Sequence, residues 1–246
     1  VGMQLEIAVQ DVPGARLAAQ YGADRIELCC ALQMGGLTPS AGLLNSVHQA
    51  HPELPIHVLI RPRPGDYVYD ADTVELMKAE IAACRDGGAT GVVIGALTAA
   101  GAIDTDVTQA LITAAHGLHI TFHRAIDHLD DASAIAAVAL LADLGVNRIL
   151  SSGGASRAGD GIQRLAAMHD AAQGRLSIMA GGGVDITDFP TFFALGITNV
   201  HLSAKRVIDH SQGEQHTSAA LAEDASYYAT DENLVSLAAS TVGALG

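Results

Sequence analysis

The chain has 246 residues, enough for one large domain over 1–246 with a substantial core, and 49% of them are hydrophobic, many of these alanine. Lys+Arg 13 against Asp+Glu 27 gives a formal net charge of −14, which argues against a nucleic-acid or anionic-membrane surface and leaves any bound anion to a local cluster of donors. No apolar run approaches the roughly 20 residues that span a bilayer, and Cys29, Cys30 and Cys84 are an odd number without Cys-x-x-Cys spacing, so a cytoplasmic protein with reduced thiols is expected. Val1-Gly2 ahead of Met3 reads as an expression remnant rather than a targeting signal.

In chain order, short apolar runs predict strands at 5–9, 25–30, 56–61, 92–97, 120–124, 148–152, 176–180 and 199–203. Helix signatures fill the gaps. Leu43, Leu44 and Val47 have helical spacing behind Thr38-Pro39, which suits a cap and a first turn. Asp72 and Glu75 resemble a capping pair before Met77 and Ile81, with Gly87 as the stop; Asp104 leads Val107 and Leu111 towards Gly117; Ile135, Val138 and Leu141 run to Gly145; Asp185 opens a segment ending at Gly196. The polar stretch 209–216 reads as a surface loop, and 230–242 as a closing helix.

A weak repeat supports the count. Gly22-Ala-Asp-Arg-Ile-Glu-Leu28, Gly145-Val-Asn-Arg-Ile-Leu-Ser151 and Gly196-Ile-Thr-Asn-Val-His-Leu202 each join a helix-ending glycine to a polar link and a strand. Eight such units predict an α/β fold, a single TIM-type (β/α)8 barrel of parallel strands with its reactive mouth at their C-terminal ends. A doubly wound sheet is the alternative, but no dinucleotide fingerprint follows the first strand, and no nucleotide cofactor is indicated.

Side chains alternate along a strand. Glu6, Glu27, His57, Arg61, His123 and His201 interrupt apolar runs and therefore share the face opposite their neighbours, where burial costs several kcal/mol unless such groups meet one another or a ligand. Arg61 and His123 fall at strand ends and are candidates for chemistry, with Glu27 as a proton-transfer partner; Glu6, His57 and His201 read as a structural polar floor. In Arg61-Pro-Arg63-Pro-Gly65-Asp66, prolines stiffen a loop bearing guanidinium groups, and His123-Arg124-Ala-Ile-Asp127 brings an acid that could orient the imidazole. Arg63 and Arg124 read as surface ion-pair residues. Gly181-Gly182-Gly183 after the seventh strand and His201-Leu202-Ser203 after the eighth occupy the places where barrels grip phosphate with backbone N–H groups; Arg61, Gly182, Gly183 and Ser203 are the expected anion-binding set. By residue type a lone Cys29 is more often a small buried hydrophobe than a ligand. Cys29 and Cys30 point to opposite faces, and His119 and His123 stand roughly 13 Å apart along a strand, so neither pair shares a metal ion.

Seven ordered motifs, Ile26-Glu-Leu-Cys29, Gly35-Gly-Leu-Thr-Pro-Ser40, Ile60-Arg-Pro-Arg63 with Gly65-Asp66, Thr121-Phe-His-Arg-Ala125 with Asp127, Ser152-Gly153, Met179-Ala-Gly-Gly-Gly183 and His201-Leu-Ser203, resemble the CutC family. The resemblance implies a TIM-type barrel, a cytoplasmic location, a homodimer and a role in copper homeostasis, with Cu(I) held through Cys29. Where many relatives carry a cysteine this chain has Ala8-Val9. Two expectations follow: a copper-binding protein, implied by the resemblance, and a barrel enzyme or sensor for a small phosphorylated or carboxylated metabolite, with lyase- or isomerase-type acid/base chemistry.

Overall fold

The computed structural model describes residues 2–209 and 226–246. Eight parallel strands close into a barrel: β1 (Gln4–Val9), β2 (Arg25–Leu28), β3 (Ile56–Leu59), β4 (Gly91–Ile94), β5 (His119–Phe122), β6 (Arg148–Ser151), β7 (Ser177–Ala180) and β8 (Asn199–Leu202). Closure is made by β1, which pairs β2 through Glu6 opposite Arg25 and β8 through Glu6 opposite His201. The helices are α1 (Val12–Gln20), α2 (Ala41–Ala50), α3 (Ala71–Asp86), α4 (Thr105–Ala115), α5 (Asp131–Leu144), α6 (Ile162–Ala172), α7 (Phe189–Ala194) and α8 (Glu232–Gly243). The expected (β/α)8 barrel is what the chain forms.

Alternation along each strand divides the wall into two surfaces. Ile7, Val9, Ile26, Leu28, Ile56, Val58, Ile94, Phe122 and Ile149 point outward and are buried in the apolar layer beneath the helices, each contributing about 1.5–3 kcal/mol. Inward positions carry the polar side chains and one small apolar group of Cys29, Leu59 and Val93, with Leu32 against it.

Side-chain caps start most of the helices. Asp11, Ser40, Asp70, Asp104, Asp130 and Asp231 each accept a backbone N–H in the first turn, worth about 1 kcal/mol apiece. Two caps differ from the expected ones. The helix after Thr38-Pro39 is capped by Ser40, because the Thr38 hydroxyl already accepts from the Arg61 N–H and donates to Glu80. In α3 the cap is Asp70 rather than Asp72.

Six of the eight strands end earlier than expected, β1 and β7 being the exceptions, so Arg61, His123, Ser152 and Ser203 stand beyond the ladder. Past β8 the chain forms an antiparallel pair, β9 (Lys205–Asp209) with β10 (Ser226–Thr230), which the apolar pattern does not announce. Asp209 ends β9; the rest of the loop expected over 209–216 lies outside the described residues. The closing helix is present as α8.

Candidate active site at the barrel mouth

The lower barrel is organised around Glu6, which is wholly buried. Arg25 Nε donates to Glu6 Oε2 at 2.6 Å, and His201 Nδ1 lies 2.7 Å from Glu6 Oε1. His57 Nδ1 and Arg148 Nη1 each stand 3.9 Å from Oε2. Burial alone would raise the Glu6 carboxyl, but the Arg25 charge, the His201 hydrogen bond and the nearby imidazoles outweigh it and hold the group well below the ordinary carboxylate range. With Glu6 ionised, His201 Nδ1 must be the donor, and its Nε2 is turned towards Glu27 Oε2, 4.0 Å away. Burial pushes Glu27 up to about 7 despite the pull of His201. Burial also works against charge on His201, yet Glu27 and Glu6 raise its pKa above the usual imidazole value.

Above this floor a cavity of about 380 Å³ opens at the C-terminal ends of the strands. Glu27, Arg61, His123, Gly182, Gly183, His201 and Ser203 all line it, with Tyr67, Arg124, Asp127 and Lys205. Arg61 is 7% exposed. Its Nη1 donates to the carbonyls of Met34 (2.9 Å) and Gly36 (3.1 Å) and its Nη2 to that of Gly65 (3.2 Å), while its buried Nε has no partner among the described residues. No carboxylate among them lies in ion-pair range of Arg61. His123, 5% exposed, accepts the Ala125 N–H at Nδ1, so its neutral ring carries the proton on Nε2, which is also buried without a partner. Burial, with the Arg61 charge, pushes His123 down to about 3 and keeps it neutral at pH 7.

The glycine loop has two positions that demand glycine. Gly182 (φ +95°) and Gly183 (φ +57°) lie in the left-handed region, and a Cβ on Gly182 would meet Arg124 Cζ at 2.5 Å. Among the described residues, the N–H groups of Gly182, Gly183 and Ser203 find no backbone acceptor.

Asp127 does not orient His123. Its carboxylate accepts from Ser151 Oγ, from Ser152 N and Oγ, from Gly154 N and from Arg124 Nε, tying the end of β6 to the turn after β5. Arg124 therefore keeps its expected ion pair, half-exposed, but also borders the cavity. Arg63 pairs with Asp66 at the surface as expected. His201 is the misplaced residue: it lines the mouth, in contact with the floor through Glu6, rather than belonging to the floor alone. Arg25, Arg148 and Lys205 are site residues that the sequence reading does not single out. The signal for the two arginines was their strand parity, since Arg25 stands two before Glu27; for Lys205 there was none, because β9 follows β8 without an apolar run.

Copper requires a separate fit. Cuprous copper prefers thiolate and thioether donors. Cys29 is fully buried against Leu59 and Val93, its Sγ 3.6 Å from the Val9 carbonyl, and it does not border the mouth cavity. Cys30 points to the Thr38 carbonyl, and Cys84 lies in α3 within the outer core. Burial pushes all three thiols up, Cys84 to about 12, which disfavours thiolate. The three sulfurs do not converge. The oxygen and nitrogen donors that do converge, Glu6, Glu27 and His201, are hard or borderline, and Glu6 is already engaged by Arg25 and His201. These residues do not fit a resident cuprous ion.

The fold and this mouth define a (β/α)8 barrel with a polar interior and a cation-lined, water-accessible cavity. A family model for CutC matches residues 3–206. The CutC family protein of Photobacterium profundum is 43% identical over 204 residues, covering 82% of each chain, and that of Sinorhizobium medicae is 42% identical over 200 residues, 81% of this chain and 80% of the relative. The chain belongs to the CutC family. Among solved structures, the CutC of Streptococcus agalactiae, whose name assigns it to copper homeostasis, superposes with a TM-score of 0.77 at 28% identity over 82% of this chain and 98% of that one. A deoxyribose phosphate aldolase from Aeropyrum pernix shares the fold alone, with a TM-score of 0.64 at 13% identity over 81% of this chain and 85% of that one.

Proposed function

We propose that this CutC-family barrel binds a small anionic metabolite at its mouth and carries out acid/base chemistry on it. The observation that carries the reading is Arg61, a buried guanidinium without an acid partner, beside the unpartnered Nε2–H of neutral His123, both bordering one cavity. A buried cation left unpaired costs several kcal/mol, and an anionic ligand relieves that cost. Gly182, Gly183 and Ser203 line the same cavity, and their N–H groups have no backbone acceptor among the described residues. Glu27, with a pKa near neutrality, is suited to take a proton from carbon or oxygen next to a carbonyl, and the Nε2–H of His123 together with Arg61 is suited to stabilise the oxyanion that forms. Lyase or isomerase chemistry fits this set. The homodimer and the cytoplasmic setting implied by the family resemblance accompany the proposal.

The test is thermal stabilisation by inorganic phosphate. At about 100 times Kd, binding adds about 2.7 kcal/mol, which raises Tm by roughly 5–10 °C in a chain of this size. Gly182→Val should remove the shift; a wild-type protein indifferent to phosphate would overturn the reading.

Copper homeostasis is a second reading, favoured by family membership and by the name of the streptococcal relative. It places Cu(I) on Cys29. In an anaerobic chelator competition Cys29→Ser should then abolish stoichiometric Cu(I) binding, whereas equal affinity in the two proteins removes that site.

A further inference from the structure

Three cations border the mouth among the described residues; Arg124 is paired with Asp127, and the other two, Arg61 and Lys205, stand on different walls. Arg61 follows β3, whereas Lys205 opens β9 immediately after β8; β1 and β2 lie between those strands around the barrel. Neither cation has a carboxylate within ion-pair range among the described residues, in a chain whose net charge is −14.

Arg61 is buried and held by three carbonyls, and the backbone that carries Lys205 is fixed. The chain turns from β8 into β9 through Ala204, a non-glycine residue at φ +40°, whose carbonyl accepts the Asp231 N–H at 2.6 Å. A non-glycine residue in this region is uncommon and persists where the surroundings fix it. Lys205 Nζ then sits 4.2 Å from the centre of the Tyr228 ring on β10, a cation–π contact that restrains the ammonium without neutralising it. Gln10 links the two sides: its Nε2 donates to the Tyr228 carbonyl at 2.7 Å, and its Oε1 accepts the Leu32 N–H at 3.0 Å. Leu32 begins the loop whose Met34 and Gly36 carbonyls are pinned by Arg61. The backbone segments that carry the two cations are thus tied together before any ligand arrives, while the Lys205 side chain itself is exposed and restrained by the Tyr228 ring.

We propose that the mouth is built for a metabolite with an anionic group at each end: a phosphate between Lys205 and the Gly182–Gly183 and Ser203 N–H groups, and a carboxylate or similar oxyanion at Arg61 and His123. The reacting carbon lies between the two ends, beside Glu27. Lys205 is the phosphate-end side chain that these N–H groups lacked, and a cavity of about 380 Å³ suits a molecule of a few carbons carrying two such groups. This inference rests on the anion reading above and adds the second end.

Titration calorimetry with four probes tests it: glycerol 3-phosphate (phosphate only), glycerate (carboxylate only), and 3-phosphoglycerate and 2-phosphoglycolate (both). The better of the two-ended acids should bind at least tenfold more tightly than either one-ended probe. Lys205→Gln should lower its affinity to that of glycerate without weakening glycerate. Arg61→Gln should lower it to that of glycerol 3-phosphate; because Arg61 also pins the Met34–Gly36 loop, His123→Leu repeats the test at the same end. If glycerol 3-phosphate binds and neither two-ended acid improves on it by more than twofold, the two-ended site is wrong while the anion reading stands. If none of the four binds, both fall.

Discussion

Replacing Glu6 with Gln removes the charge on which the lower barrel converges while keeping the side chain's shape. At 2.6 Å, with an effective dielectric constant of about 20, the Arg25–Glu6 attraction alone is about 6 kcal/mol before desolvation. The variant leaves Arg25 and Arg148 buried without a counter-charge and takes the charged acceptor from His201 Nδ1. Breaking such a pair from one side typically costs about 3–5 kcal/mol, a large fraction of the stability of an ordinary domain. Urea unfolding monitored by circular dichroism at pH 7 reads the loss as a lower midpoint at unchanged slope. The loss should depend on pH in one direction. Because the Glu6 carboxyl is held below its unfolded value, its stabilisation is complete above about pH 4.3 and disappears as pH falls through the folded value, so wild type and Glu6→Gln should converge in acid. Asp66→Asn, which breaks the exposed pair with Arg63, is the control and should cost less than about 1 kcal/mol. A Glu6→Gln loss as small as that of Asp66→Asn would refute the buried-charge account.

Glu27 has its folded pKa raised, so its burial favours the fold at low pH and opposes it as pH rises through about 7; Glu27→Gln should stabilise the protein by a few kcal/mol at pH 8.5 and little at pH 4, measured by urea midpoints. His57, His119 and His123 are pushed down to about 4, 3 and 3, so each contributes stability above about pH 6.5 that is lost as pH falls towards those values, and Tm should decline steadily across that window. Gly182→Ala places a Cβ against the Arg124 guanidinium in a left-handed backbone; it should lower stability by about 1–2 kcal/mol, and a neutral result by calorimetry would mean the loop relaxes freely.

The barrel was legible because its wall is written in alternation. Ile26-Glu27-Leu28 and Ile56-His57-Val58 show both faces of a strand in three letters, and the glycine before each link marks where a helix stops. Arg61, His123, Gly182 and Ser203 could be placed at the mouth for the same reason, since each follows an apolar run directly. What stayed hidden depends on closure. Glu6 and His201 are separated by 194 intervening residues and become neighbours only when β8 pairs β1, so no local pattern could move His201 from the floor to the cavity. Arg25 and Arg148 looked like polar links, yet the pleat turns them inward, 4% and 6% exposed. Proximity in sequence suggests Asp127 as the partner of His123, but two serine hydroxyls and three other donors compete for it more successfully.

The central claim is that the mouth holds an anion through Arg61 and the glycine loop, and that the buried thiols are not a copper centre. A crystal grown in phosphate, soaked anaerobically with Cu(I) and measured on both sides of the copper absorption edge addresses both halves at once. The account predicts tetrahedral density against the N–H groups of Gly182 and Ser203 and no anomalous peak at Cys29. A copper peak on Cys29 with no anion in the mouth would contradict it.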